Sequence, residues 1–379
     1  MRLTQVYDNG ANVLAAARQR MSFIFDAFAD VHVSISGGKD STVLAHLAIT
    51  EAKHRGRRVS IFFLDEEAVY QATADQVEYI MGGMGLGSQR VVPLWLQMPF
   101  NLTNATSLTE TQFVPWDPGK HDLWLRPKQS YAIKAPPWDR RTETVADRNK
   151  GFGFYDVFEN FERCYRDTAF LVGLRGTESP NRWRTVSKSP VDIAGERVYW
   201  ATAKGANVSL YPLYDWNFSD VWRYIHDEGL RYHKIYDYQF RKGYSINEMR
   251  ISSLIHERSF KALVDLPEFE PKTYAKLLKR TKGIALAQET AKNAKLFRAR
   301  KLPHQFKTWR AYRDFLIATH PDPEKCAIMA RRFAHQLDNE YVARQQVRQL
   351  VLNDYENNLT VDNRPDPRDA LIAYYMEVL

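Results

Sequence analysis

The spacing of apolar residues in the first part of the chain changes twice, from helical to alternating and back to helical. Residues 11–30 place Val13, Ala17, Met21 and Ile24 at helical spacing, which predicts a leading helix. The run VHVSI at 31–35 then alternates as a strand does, and a second helical pattern starts at residue 42 and stops near Gly56. A second buried strand, VSIFFL, follows at 59–64. This order predicts one βαβ unit near the start of the chain.

The later periodicity extends this pattern into an α/β fold. Further elements are predicted as a helix over 66–82, a strand over 90–96, a helix over 154–167, a strand over 168–174 and a helix capped by Asn217 or Ser219. We therefore expect an open α/β sheet within residues 1–265, and a helical region over 266–379. Residues 98–150 lose periodicity and gain Pro and Trp, which predicts an ordered active-site flap.

The hexapeptide SGGKDS at 36–41 lies between the first predicted strand and the following helix. Its glycines let backbone N–H groups turn towards an anion, and the helix supplies its positive N-terminus. The predicted phosphate cradle consists of Ser36, Gly37, Gly38, Lys39, Asp40 and Ser41, and Lys39 with the two serine hydroxyls can complete it. The alternative is a plain strand-to-helix turn, but the βαβ context favours a loop that binds a nucleoside triphosphate.

Two more strand ends carry candidate ligand-binding groups. Asp65 follows the second strand, where it is expected either to help hold a Mg²⁺ ion between phosphates or to cap a helix; the two roles are compatible. After the strand at 168–174, the candidate phosphate- or sulfate-binding residues are Arg175, Glu178, Ser179, Arg182 and Arg184. A charged surface turn is the alternative interpretation of this second group.

Basic residues are concentrated in the last third of the chain. The net charge of the 379 residues is +8, and residues 272–310 hold twelve Lys or Arg against Glu289 alone. Lys292, Lys295 and Arg298 would share one helix face, which predicts a nucleic-acid partner through this segment, although a solvated helix face is the alternative. Because the chain has two cysteines and no long apolar run, we expect no zinc or iron–sulfur site, no membrane segment and a cytoplasmic protein.

The combined motifs resemble a known family. A Walker loop needs four residues between its glycine and Gly-Lys, whereas SGGKDS resembles the PP-loop of ATP pyrophosphatases. Together with GLRGTES at 173–179 and YPLYDW at 211–216, it is similar to the phosphoadenosine-phosphosulfate-reductase-like branch of that family. The runs WD at 116–117, LWLRP at 123–127 and RIS at 250–252 resemble, more specifically, the subgroup typified by immunoglobulin-binding regulator A.

The resemblance implies a Rossmann-like, mostly parallel sheet with helices on both faces. It also implies that residues 36–41 bind ATP or an adenylyl-sulfate nucleotide. The arginine-rich turn at 175–184 would face that nucleotide with Arg175, Glu178, Ser179, Arg182 and Arg184. Reductases of this family use a cysteine in a Glu-Cys-Gly motif near the C-terminus, and the run RDALIAYYMEVL at 368–379 has no cysteine. Cys326 lacks the motif and Cys164 precedes the arginine-rich turn, so reductase activity is not expected to carry over.

The expected function is therefore cleavage of ATP at the α-phosphate to adenylylate or activate an acceptor, possibly nucleic acid. Lys39, Asp40, Ser41 and Arg175 would act in catalysis, with ATP and Mg²⁺ as cofactors. The alternative is a nucleotide-sensing regulator without turnover that binds DNA or a partner protein. A third expectation is a subunit that is active only with a neighbouring protein.

Overall fold

The computed structural model describes residues 12–107, 109–138, 151–186, 189–246, 248–256, 259–292, 301–357, 359, 361 and 362. Its helices are α1 (Val13–Ala27), α2 (Lys39–His54), α3 (Gln71–Met81), α4 (Phe154–Glu162), α5 (Pro180–Val186), α6 (Phe218–Asp227), α7 (Ile235–Arg241), α8 (Phe260–Phe269), α9 (Pro271–Arg280), α10 (Ile284–Lys292), α11 (Trp309–Ala318), α12 (Pro323–Phe333) and α13 (Glu340–Val351). Its strands are β1 (Asp30–Ser34), β2 (Val59–Leu64), β3 (Val91–Leu96), β4 (Leu102–Thr103), β5 (Gln112–Phe113), β6 (Thr168–Val172), β7 (Val191–Ile193), β8 (Glu196–Val198), β9 (Ala201–Lys204) and β10 (Asn207–Leu210).

The central sheet has the strand order β3-β2-β1-β6-β10-β9. All neighbouring strands are parallel except β10 and β9. The chain runs outwards from β1 to β3 on one side and from β6 to β10 on the other, so the strand order reverses between β1 and β6. Open α/β sheets bind ligands beyond the carboxyl ends of the strands at such a point. A ligand-binding site is therefore expected at the segments that follow β1 and β6.

Alternate residues of the central strands face opposite layers, as the period of a strand requires. Val33, Ile61 and Leu171 lie in one buried cluster with residues of α1, α2, α3 and α6. Their neighbours His32, Phe62 and Phe170 point the other way, where the rings of His32 and Phe62 lie 6.3 and 4.3 Å from that of Phe161 on α4. The predicted Rossmann-like sheet with helices on both faces is confirmed.

The chain divides into two compact units. The first comprises residues 1–100 and 115–251 and contains the central sheet; the second comprises 101–114 and 252–379. The second unit contains helices α8–α13 and also the β4–β5 hairpin. Arg280 of α9 donates to the carbonyl oxygen of Val114 at 2.7 Å, and Asn104 donates to Thr281 Oγ1 at 3.0 Å. The predicted division at residue 265 stays a prediction.

Two sequence expectations differ from the structure. The helix predicted over 66–82 begins only at Gln71, because residues 65–70 form turns in which Glu67 has φ +59°. Asp65 is therefore not a helix cap, and its Oδ1 instead accepts from the Glu67 N–H at 2.9 Å. The segment 98–150 also contains regular structure, namely β4, β5 and a 3₁₀ helix over Pro118–Leu123, while residues 139–150 lie outside the described residues.

Candidate functional site

The segment at residues 36–41, called the loop below, follows β1 at the point where the strand order reverses. It includes the first turn of α2, which begins at Lys39 and not at residue 42 as expected from the sequence. Gly37 has φ +74°, and a Cβ there would lie 3.0 Å from Thr73 Cγ2, so a side chain would be both strained and crowded. Gly38 caps α2 with extended backbone. Because the first N–H groups of a helix have no intrahelical acceptor, the start of α2 presents donors to this loop. The local geometry is that of an anion-binding helix N-terminus preceded by a glycine turn.

The two serine hydroxyls of the loop bond to the loop itself. Ser36 N–H donates to Ser41 Oγ at 3.2 Å, and Ser41 Oγ donates to the carbonyl oxygen of Gly38 at 3.0 Å. The Ser36 and Ser41 hydroxyl oxygens lie 3.3 Å apart. These bonds fix the curvature of the loop. Contact of either hydroxyl with a ligand stays a prediction.

Asp40 links the loop to the arginine-rich turn. The Nζ of Lys39, whose side chain is 7% exposed, lies 3.0 Å from Asp40 Oδ2. Asp40 Oδ1 accepts a hydrogen bond from Arg175 Nε. The close approach of the turn depends on Gly173, since a Cβ there would lie 3.2 Å from the carbonyl carbon of Asp40. The structure thus brings together Lys39, Asp40 and Arg175, which the sequence places far apart.

The rest of the arginine-rich turn extends this cluster in part. Glu178 pairs with Arg182 at 2.9 Å and lies 4.0 Å from Arg175, and Ser179 Oγ accepts from the Arg182 N–H at 3.3 Å. Arg184 is exposed, and its two-residue offset from Arg182 places it on a different face of α5. The predicted group contains four cationic side chains and two carboxylates, a balance that favours an anionic ligand.

Aromatic side chains enclose Lys39. Its Nζ lies 5.5 Å from the ring centre of Phe218 on α6 and 5.3 Å from that of Tyr236 on α7. Sequence analysis did not single out Tyr236, because an aromatic residue at helical spacing resembles an ordinary core residue. Burial raises the pKa of Tyr236, with the Asp40 charge acting in the same direction, so its hydroxyl stays protonated near neutral pH. The sequence alone offers no local signal for this contact.

Asp65 lies in a buried network that does not fit a magnesium ligand. The residue is fully buried; its Oδ2 accepts from Trp95 Nε1 at 2.8 Å and from Gln97 Nε2 at 2.9 Å, while Oδ1 accepts from Glu67 N–H and from Arg126. Each carboxylate oxygen therefore already has two donors. Among the described residues, no three His, Cys, Asp or Glu side chains form a group that would hold a metal ion. Holding of Mg²⁺ by Asp65 stays a prediction, which these four hydrogen bonds do not favour.

The same network anchors part of the Trp-rich segment to the sheet. Trp116 donates its backbone N–H to Glu67 Oε2 at 2.6 Å and its indole N–H to the Asp65 carbonyl oxygen at 2.8 Å. Arg126 donates to the Glu67 carbonyl oxygen at 2.9 Å, and its guanidinium lies 5.4 Å from the Trp116 ring centre. Residues 115–126 are thus fixed beyond the carboxyl end of β2. The tryptophans stand out in the sequence, but the roles of Glu67 and Arg126 in this network were not predicted from it.

Neither cysteine has the features of a reactive thiol. Cys164 is exposed and its Sγ lies 3.4 Å from the carbonyl oxygen of Asn160, while Cys326 is buried. Partial loss of solvent around the sulfur atoms raises the pKa of both thiols, and the charge of Asp322 raises that of Cys326 further. Both therefore favour the neutral thiol, which is a weak nucleophile.

The basic segment is described only in part. The exposed lysines of its first portion are Lys272, Lys276, Lys279 and Lys282. The side chain of Lys292 and all of Lys295 and Arg298 lie outside the described residues. Nucleic-acid binding through this segment stays a prediction. In the part of the chain that the structure describes, the helices are too short or too polar to cross a membrane.

Sequence comparison assigns two adjacent regions. Residues 154–243 match the phosphoadenosine phosphosulfate reductase domain, and residues 243–340 match a family described as a domain of unknown function (DUF3440). The first match contains the arginine-rich turn and Tyr236 but begins after the loop at 36–41. The Escherichia coli K12 protein named uncharacterized protein YbdN is 25% identical over 326 residues, covering 82% of this chain and 76% of that protein. The resemblance to the immunoglobulin-binding regulator A subgroup stays a prediction.

Solved structures give distant matches. A phosphoadenylyl-sulfate reductase from Candida auris in a phosphate complex has 13% identity and a TM-score of 0.34, covering 62% of this chain and 87% of that one. The FMN adenylyltransferase of Candida glabrata with ATP has 16% identity and a TM-score of 0.32, covering 62% and 63%. The U34-tRNA thiolase NcsA of Methanococcus maripaludis has 13% identity and a TM-score of 0.29, covering 74% and 79%.

Proposed function

We propose that this protein binds ATP with its terminal phosphates in the loop at 36–41, or an adenylyl-sulfate nucleotide with its sulfate there, and cleaves the nucleotide at the α-phosphate. The adenylyl moiety is transferred to an acceptor, and pyrophosphate leaves from ATP or sulfate from the adenylyl-sulfate nucleotide. The observation that carries the proposal is the Lys39–Asp40–Arg175 cluster at the reversal of strand order. It joins a glycine loop, a helix N-terminus and two buried cations at one place.

The chemistry needs positioning and charge neutralisation more than a covalent residue. A nucleophilic oxygen, nitrogen or sulfur of the acceptor forms a bond to the α-phosphorus, and the bond from that phosphorus to the bridging oxygen breaks. Negative charge then accumulates on the departing pyrophosphate, where Lys39 and Arg175 would neutralise it. Asp40 holds both cations in place before the nucleotide enters, and Ser41 maintains the loop. The acceptor's proton leaves to solvent or to a base on the acceptor.

We infer that sulfonucleotide reduction is not the reaction, although residues 154–243 match the reductase domain. Reduction requires a thiolate that attacks the sulfur of the nucleotide. The raised pKa of Cys164 and Cys326 disfavours a thiolate at either position. The match therefore supports nucleotide recognition without supporting the redox step.

A second candidate is a nucleotide-sensing regulator without turnover. One observation favours it: Asp40 pairs with both Lys39 and Arg175, so each of the two cations has an anionic partner before a nucleotide binds. A nucleotide that replaced Asp40 as their partner would change the cluster without any chemistry. The exposed lysines of α9 would then serve a DNA or protein partner.

The two candidates are separated by following labelled ATP. Purified protein is incubated with α-labelled ATP and Mg²⁺, alone and with tRNA, DNA or cell extract, while pyrophosphate and label are measured. Release of pyrophosphate with AMP, or transfer of the label to one fraction, supports the enzyme. Bound but unaltered ATP under every condition supports the regulator, and absence of ATP binding contradicts both. In the enzyme, Lys39→Ala should stop pyrophosphate release while ATP binding stays measurable. Lys53→Ala is the matched control, because Lys53 is exposed at the far end of α2.

A further inference from the structure

The hydroxyl of Tyr236 lies at the loop rather than in the core that encloses the rest of its ring. Tyr236 is 3% exposed, and its ring packs edge to face against Trp222 at 5.4 Å. Its Oη accepts a hydrogen bond from the Lys39 backbone N–H at 3.3 Å. A Cβ on Gly38 would lie 3.3 Å from the same oxygen. The hydroxyl therefore contacts two consecutive residues of the predicted phosphate cradle.

This buried hydroxyl has a proton to donate. A tyrosine hydroxyl has one donor and can also accept. Among the described residues, the Lys39 N–H is the hydrogen-bond partner of Tyr236 Oη, and it occupies an acceptor position. A polar hydrogen that is buried without an acceptor is unfavourable unless a ligand or water supplies one. The ionisable side chains that act on Tyr236 are Asp40, Glu178 and Arg175, which are those of the candidate site.

We propose that Tyr236 is a phosphate-binding residue, whose hydroxyl donates to an oxygen of the phosphate group held by the loop at 36–41. The inference rests on the proposed function and adds a residue from α7, which follows the loop by nearly two hundred positions. The same hydroxyl accepts from Lys39 N–H, so it also orients the first residue of α2. The Lys39 ammonium lies 5.3 Å from the Tyr236 ring centre, so one aromatic side chain positions both ends of Lys39.

The proposal explains why residue 38 is a glycine although its backbone is ordinary. Gly38 has φ −79°, a conformation that alanine adopts without strain. A methyl group there would crowd Tyr236 Oη and Ser36 Oγ, each at 3.3 Å. The space that a methyl group would fill is thus bordered by the hydroxyl. Glycine at this position lets the tyrosine reach the loop.

The first test compares Tyr236→Phe with Tyr224→Phe. Both tyrosines are buried, but Tyr224 Oη bonds to His46 Nδ1 at 2.8 Å and belongs to the core. Calorimetry measures binding of inorganic pyrophosphate, ATP and adenosine to each protein. Losing a hydrogen bond to a charged phosphate should weaken pyrophosphate and ATP binding by about 10- to 100-fold in Tyr236→Phe. Adenosine binding should be unchanged, and Tyr224→Phe should match the wild type for all three ligands.

The outcomes separate this inference from the proposed function. If the wild type binds neither pyrophosphate nor ATP, the proposed function fails and this inference fails with it. If the wild type binds both and Tyr236→Phe binds them equally well, only the role of Tyr236 is overturned. Tighter binding by Tyr236→Phe would also overturn it, because the hydroxyl would then obstruct the loop. A loss shared equally by adenosine would indicate a general structural defect and would contradict phosphate contact.

A double-mutant cycle with Gly38→Ala provides the second test. In the wild-type background the added methyl group should displace the tyrosine hydroxyl and weaken pyrophosphate binding. In the Tyr236→Phe background the hydroxyl is already absent. The fold-loss of pyrophosphate affinity caused by Gly38→Ala should therefore be at least about threefold smaller there than in the wild-type background. Equal effects in both backgrounds would show that Gly38 and Tyr236 act independently and would contradict the proposal.

Discussion

Two aspartates near the carboxyl ends of neighbouring strands have opposite surroundings. Asp40, at the start of the helix after β1, has a side chain that is 17% exposed and pairs with two cations, Lys39 and Arg175. Asp65, directly after β2, is fully buried and accepts from four donors, which are the side chains of Trp95, Gln97 and Arg126 and the backbone of Glu67. Both residues follow buried strands of the same parallel sheet.

The difference separates a region arranged for a ligand from a region arranged for stability. The partners of Asp40 are cations that an incoming phosphate can also satisfy, so the cluster can exchange one anion for another. The donors around Asp65 are indole, amide and guanidinium groups held by packing, and losing the carboxylate would leave them buried without an acceptor. Position at a strand end therefore does not by itself make a carboxylate a ligand-binding group.

Arg126→Ala should produce the largest effect and should act on stability. It removes the cationic partner of Asp65 and leaves a buried carboxylate without its ion pair, which is expected to lower the free energy of unfolding by about 3–5 kcal/mol. Urea denaturation measures this change. The matched control is Arg223→Ala, whose exposed pair with Asp227 should contribute less than about 1 kcal/mol. Equal stability of the two variants would show that the Asp65 network is not a stabilising core.

Lys39→Met should lower the rate of pyrophosphate release, with little effect on the free energy of unfolding. It keeps the length of the side chain and its aromatic contacts but removes the charge that faces the leaving group. Pyrophosphate release should fall by about 100- to 1,000-fold, with stability changed by less than about 1 kcal/mol. Steady-state pyrophosphate assays and urea denaturation give the two numbers, with Lys53→Ala as control. If Lys39→Met loses stability but keeps its rate of pyrophosphate release, the surroundings of Asp40 serve stability, which contradicts their assignment to the ligand.

Lowering the pH should reduce the free energy of unfolding through His32, which is buried on β1. Burial lowers the pKa of His32 on β1 to about 4, below its ordinary value of 6.5. The unfolded chain therefore binds a proton that the folded state resists, and stability is lost as the pH falls below about 6.5. Between pH 6.5 and 4.5, His32 should account for a loss of about 2 kcal/mol. His32→Phe, in a cluster with Phe161 and Phe170, should reduce this slope, and an unchanged slope would contradict the assignment.

Gly173→Ala should have the smallest effect. Its Cβ would lie 3.2 Å from the Asp40 carbonyl carbon and from the Ser41 nitrogen, so the turn after β6 must shift by a few tenths of an ångström. We expect ATP affinity to fall about three- to tenfold through a weakened Asp40–Arg175 contact, a change of about 1 kcal/mol. Gly205→Ala, where a Cβ meets no neighbouring atom but φ is +60°, is the control for a general loss of stability at a glycine. An affinity equal to that of the wild type would show that the contact is not sensitive to this spacing.

Local sequence patterns predicted the elements around the loop, because helical and alternating periods record which faces are buried. The strand over Val91–Leu96 and the cap of α6 at Asn217 are confirmed. The placement of the arginine-rich turn in the same sheet as the loop at 36–41 also followed from topology, since segments after parallel strands lie at one edge of the sheet. The direct contact of Arg175 with Asp40 was not predicted. These predictions depended on periods and strand ends, which are properties of neighbouring residues.

The remaining features depend on contacts between distant residues. The hydrogen-bond partners of Asp65 were not predicted, because Arg126 and Trp116 come from a segment without periodicity. Tyr236 was missed because its ring is an ordinary core group and only its hydroxyl reaches the loop. Assignment of such polar atoms requires their partners in space, which spacing along the chain does not provide.

A crystal structure with an ATP analogue that carries a methylene bridge between the α- and β-phosphorus atoms would show whether the loop at 36–41 binds the phosphates. We expect the β- and γ-phosphates to lie in this loop, within hydrogen-bond distance of N–H groups in the first turn of α2 and of the Lys39 ammonium. Asp40 would then release at least one of its two cations to the phosphates. A nucleotide bound elsewhere, or one whose phosphates point away from the loop while Lys39 and Arg175 stay on Asp40, would contradict the account.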